Sequence, residues 1–93
     1  MTSKRDLKKE INYLVEEIIT DCYIYKKLYP DKNQDKVDEI IGNTLNLRHD
    51  LIYRINLARN TEDKERKEYF RKIETDLMQH VEKSLDTLNK LTK

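Results

Sequence analysis

Apolar residues recur at helical spacing in three long runs, separated by two short polar breaks. In the first run Leu7, Ile11, Leu14, Ile18, Cys22, Tyr25 and Leu28 follow one another by three or four positions, which keeps one face of a helix, and Val15 and Ile19 widen it. The second stripe is Val37, Ile40, Ile41, Thr44, Leu47, Leu51, Ile55 and Ala58, with Leu45 and Ile52 on a second flank. The third is Phe70, Ile73, Leu77, Val81, Leu85, Leu88 and Leu91, with Met78 beside it. The breaks are Tyr29-Pro30-Asp31-Lys32-Asn33 and Arg59-Asn60-Thr61-Glu62-Asp63. Pro30 lacks an N–H and turns Tyr29 away from helical angles, so it stops the first helix. The pattern predicts an all-α fold with helices over about 4–28, 34–59 and 62–91 in a single domain, residues 1–93. Loops of about five residues force antiparallel neighbours. The expected architecture is an antiparallel up-down-up three-helix bundle with left-handed, coiled-coil-like crossings.

End signals agree with these boundaries. Ser3 with Asp6 resembles a weak capping box. Asp31 or Asn33 is the expected cap of the second helix, and Asn60 or Thr61 of the third. Asp35, Asp38 and Glu39 load the start of the second helix with negative charge, and Glu62, Asp63 and Glu65 do so for the third, where the helix dipole favours it. The first helix departs from this, with Lys4, Arg5, Lys8 and Lys9 at the unfavourable pole. The single glycine, Gly42, falls inside the second helix, where it costs about 1 kcal/mol against Ala. Two accounts stand open for it: close approach of another helix or chain, and simple tolerance at the surface.

Composition narrows the functions. The chain has 93 residues, 40% of them charged, with one Gly, one Cys and no Trp. One glycine leaves no Gly-rich phosphate loop, and one cysteine makes neither an internal disulfide nor a zinc site. Lys and Arg number 19 against 18 Asp and Glu, and each third of the chain balances its charge to within one unit. A nucleic-acid binder normally carries a one-signed footprint, so that partner is disfavoured unless the helices sort their charges by side. No apolar run nears the ~20 residues of a membrane span, and the charged opening is no signal core. A cytoplasmic protein without membrane contact is expected.

Candidate chemistry is thin. Cys22 lies on the apolar stripe and reads as a small core hydrophobe; a pairing with His80 would need the bundle register to join them. His49 and His80 read as half-exposed surface groups. No Glu stands three residues before either His, so the bundle di-metal motif is missing, and Asp76 with His80 provides only two ligands. No catalytic residue, metal or cofactor is assigned, and the protein is expected not to be an enzyme. Basic clusters surround Tyr69 and Phe70, but Glu65, Glu68 and Glu74 interleave with them, as on a solvated helix face. The unusual signal is tyrosine, six against one Phe. Tyr25 and Tyr29 suit the core side, and two accounts stand for the excess: rings that cover the rim of a small core, and a candidate partner surface including Tyr13, Tyr23 and Tyr53, since tyrosine buries area while keeping a polar end.

The opening Lys4-Arg5-Asp6-Leu7-Lys8-Lys9-Glu10-Ile11-Asn12-Tyr13-Leu14 resembles the start of small all-helical proteins of Bacteroidetes-type bacteria to which no activity is assigned. The likeness covers that stretch and the three-helix pattern after it. It implies a bacterial cytoplasmic source and carries over no functional residue. The sequence therefore points to a non-enzymatic scaffold or protein-interaction module, expected to self-associate, with a homodimer or another protein as partner. Nucleic-acid association through basic helix faces is the alternative.

Overall fold

The structure, a computed structural model, describes residues 4–58 and 63–92. Three helices make up the fold: α1 Lys4–Leu28, α2 Gln34–Leu57 and α3 Asp63–Leu91. All three pack on one another as an all-α three-helix bundle, a rod of about 50 × 18 × 17 Å. The expected caps Ser3, Asn60 and Thr61 lie outside the described residues, as do the expected end of α2 at 59 and start of α3 at 62.

Cross-helix bonds give the register. Arg48 donates to Asn12 Oδ1 and Lys26 pairs with Asp38, so α1 and α2 run antiparallel. Thr44 lies on His80, and Arg54 donates to Asp76 Oδ2 at 2.9 Å, so α2 and α3 are also antiparallel. Tyr25 meets Leu91, while Glu10 feels the charge of Glu74, so α1 and α3 run parallel. The α1–α2 turn is tied to the far end of α3 through Tyr25. Its hydroxyl accepts from Asn33 Nδ2 at 2.9 Å and donates to the Leu91 carbonyl at 3.1 Å, and its ring packs on Tyr29 with centroids 4.8 Å apart. Asn33 stands at the N-cap of α2 with φ 55°, a left-handed conformation that Asn tolerates, but its side chain makes no capping bond. It is spent on Tyr25 instead.

The core follows the predicted stripes with three shifts. Leu7, Ile11, Ile18, Cys22 and Tyr25 of α1 are buried, and the face continues through Val15, with Leu14 half-buried beside it. Val37, Ile40, Thr44, Leu51, Ile55 and Ala58 form the α2 share, and Phe70, Ile73, Leu77, Val81 and Leu88 that of α3. Leu28, expected in the core, is 66% exposed. Tyr25 fills the last core position of α1, leaving Leu28 on the flank toward α3. In α3 the buried row passes through Ser84 rather than Leu85, and Leu85 faces outward. Steps of three and four both keep a helix face, and packing selects between them. A Cβ added at Gly42 would meet nothing within 4 Å, so no helix of this chain approaches it.

Candidate functional site

Since α1 and α3 run parallel side by side, a groove follows their flanks. Spacing puts Tyr13, Glu17, Ile24 and Leu28 on one side of α1, four positions that recur on the same helix flank. Met78 and Leu85, seven residues apart, hold the facing flank of α3. The parallel register brings Tyr13 level with Met78. Tyr13, Ile24, Leu28, Met78 and Leu85 are five of the nine large apolar side chains that the described residues leave exposed. At its C-terminal end the groove opens into a hollow of about 300 Å³ between Ile24, Leu28 and Tyr29 on one wall and Leu85 and Leu88 on the other. The signal in the sequence was the pair Met78 and Leu85, placed with the core stripe for want of the register.

The rim of this groove is acidic. Glu10, Glu17 and Asp21 belong to α1, Glu74 and Glu82 to α3, and among the described residues none of the five enters an ion pair. Partial burial and the neighbouring charge of Glu74 push the Glu10 carboxyl above its ordinary value. Glu17 accepts a hydrogen bond from the Tyr13 phenol, and with its charge holds that proton more tightly than usual. Of the nearby lysines, Lys26 turns to Asp38 on α2 and Lys90 to Asp86 on its own helix, while Lys27 beside Leu28 is exposed and is the basic group at this end of the α1 flank.

The three tyrosines of the candidate surface are all exposed but do not form one cluster. Tyr13 borders the α1–α3 groove. Tyr23 lies ten residues further on, about 15 Å along the axis and on the outer side of α1. Tyr53 is on α2, together with exposed Leu45 and Leu57.

A polar cluster occupies the opposite groove, between α2 and α3. Nε2 of His80 lies 2.8 Å from Thr44 Oγ1 and 3.2 Å from Ser84 Oγ. Thr44 and Ser84 are both buried, and Asn43, Asn46, Lys83 and Thr87 line the groove above them. Burial first, and the charge of Lys83 second, lower the His80 pKa from its usual value, so the neutral ring is favoured. Asp76, four residues before His80, is taken by Arg54 instead. Among the described residues no hydrogen bond holds the other ring nitrogen, Nδ1, and Ser84 is shut from solvent. A Ser–His pair without an orienting partner and without access does not make an activated nucleophile. The cluster acts as a polar pin that fixes α2 against α3.

Cys22 and His80 do not meet. The register sets His80 about level with the middle of α1, roughly two helical turns before Cys22. The thiol is buried and its pKa is pushed up to about 11, by desolvation first and then by Asp21. Among the described residues no group of three or more His, Cys, Asp or Glu could hold a metal ion. No described helix is long and apolar enough to cross a membrane.

Compared with protein-family models, curated proteins and solved structures, the chain matches none.

Proposed function

We propose that this is a non-enzymatic interaction module of the bacterial cytoplasm that works by offering exposed apolar helix flanks to another protein, a second copy of itself included. The supporting observation is the α1–α3 groove. A small bundle with a buried core of its own still leaves Ile24, Leu28, Met78 and Leu85 exposed on the neighbouring flanks of α1 and α3. Isolated exposed apolar residues are ordinary, whereas contiguous ones mark interaction surfaces. Affinity capture from native lysate, with and without nuclease, tests the reading, paired with sedimentation of the purified chain across a range of concentrations. A stoichiometric protein partner that survives nuclease, or a concentration-dependent dimer, is expected. A monomer that recovers only itself would refute it.

One observation favours the nucleic-acid reading. Parallel α1 and α3 gather Lys4, Arg5, Lys8 and Lys9 at the same end as Arg66, Lys67, Arg71 and Lys72. Residues 4–15, 48–58 and 65–79 hold ten Lys and Arg against seven Asp and Glu, while residues 16–47 and 80–92 hold six against nine. Binding of duplex DNA or RNA by that end would weaken steeply with added salt.

A further inference from the structure

We infer that the groove between α1 and α3 seats a basic amphipathic helix of a protein partner, lying antiparallel to both. This rests on the interaction-module reading and names the occupant.

Geometry gives the shape of the ligand. From Tyr13 to Leu28 the α1 flank runs about 22 Å, the length of roughly fifteen helical residues. The outer seam between two parallel helices is where a four-helix bundle seats a further helix, and the hollow at Ile24, Leu28 and Leu85 opens on that seam. An antiparallel course opposes the dipoles of α1 and α3. Apolar anchors on one face of the incoming helix, at about i, i+4, i+8 and i+15, would meet Leu28, Ile24, Leu85 and Met78 in turn.

Charge gives the chemistry. Glu17, Asp21 and Glu82 flank the apolar line without an ion pair among the described residues. Lys or Arg beside the apolar stripe of a partner helix would satisfy them. The same rim disfavours a second copy in this groove, because two-fold pairing of the face would bring acid toward acid. Self-association, where it occurs, then uses another surface, such as Leu45, Tyr53 and Leu57 of α2.

The test uses two labelled peptides of about 18 residues, each an amphipathic helix with the same leucine stripe, one with lysine on its polar face and the other with glutamate. Fluorescence anisotropy with the full chain should show the lysine peptide binding at least about tenfold tighter than the glutamate one. Leu85→Asp should weaken the lysine peptide by about tenfold or more, as a charge buried under an apolar stripe. Reversing the rim with Glu17→Lys and Asp21→Lys should exchange the two preferences. Glu39→Lys with Glu68→Lys, exposed acids off the groove, should change affinity less than about twofold. Circular dichroism and urea unfolding establish that each variant is folded. Equal loss from the distant reversal would reduce the binding to general charge attraction and overturn the inference. Insensitivity to Leu85→Asp, or no binding of the lysine peptide, would do the same. A dimer that Leu85→Asp dissociates would seat a second copy in the groove, also overturning it. A silent peptide beside a captured protein partner would sink the groove occupant and leave the module reading standing. Failure of both peptide and capture would remove both.

Discussion

Ile18 and Leu28 fall on the same predicted stripe of α1, yet the structure buries the first to 1% exposure and leaves the second 66% exposed. Paired substitutions to alanine therefore test the packing itself. Ile18→Ala deletes three carbons, a loss of burial of about 0.8 kcal/mol each. The rod is narrow, and Ile18 lies in the middle of α1 among Val15, Cys22 and the buried residues of α2 and α3. Incomplete collapse adds a cavity cost of about 24 cal/mol per Å³ left empty. The total is about 3–4 kcal/mol, a large part of the roughly 5–14 kcal/mol that holds a domain of this size. Leu28→Ala removes an exposed side chain and should cost no more than about 0.5 kcal/mol. Urea unfolding followed by circular dichroism at 222 nm measures both, and the thermal midpoint of Ile18→Ala should fall by roughly 15–25 °C. Similar losses in the two variants, or a larger one for Leu28→Ala, would refute the register of α1.

Gly42→Ala should stabilise by about 1 kcal/mol, because the position is helical, no positive φ needs glycine and the added Cβ meets nothing; destabilisation in urea melts would reveal a close neighbour that the isolated chain lacks. His80 has a folded pKa below its unfolded value near 6.5, so the unfolded chain binds more protons in acid. Its contribution is complete above the unfolded pKa and is lost as pH falls from about 6.5 through the lower folded value. Urea midpoints between pH 8 and 5 should decline accordingly, and His80→Gln should flatten that part of the curve. Cys22, buried with its pKa at about 11, should not react with an aromatic disulfide reagent at pH 8 until urea opens the bundle. Rapid native modification would contradict that burial.

Much of the fold was legible because helix formation and burial are periodic. Pro30 marks the first break, and the stripes locate the three core faces to within a position or two. The misplacements of Leu28 and Leu85 share one cause. Both stand at a point where steps of three and four satisfy the helix equally, and only the neighbouring helix decides which side chain turns inward. Asn33 was legible as a cap by its position, but not in its bond to Tyr25, which depends on a tyrosine eight residues away being brought over the turn. The candidate site was less legible still. Tyr13, Tyr23 and Tyr53 were recognisable as exposed aromatics, but which of them borders a groove depends on the flank each presents and on which helix lies against it.

By itself the sequence determined an all-helical chain, the number of helices and their antiparallel succession, since apolar period and loop length act within one segment or between consecutive ones. Only the tertiary structure decided what α1 and α3 do together. They are separated by the whole of α2, and no local signal states their relative register. Running them parallel joins the basic starts of both at one end, although every third of the chain is nearly neutral. It also sets Leu85 across from Ile24 and Leu28 around one hollow, and brings Tyr13 level with Met78 further along the same two helices, with acidic residues beside them. Charge and apolar surface act through space, and spatial neighbours distant in sequence exist only once the chain has folded.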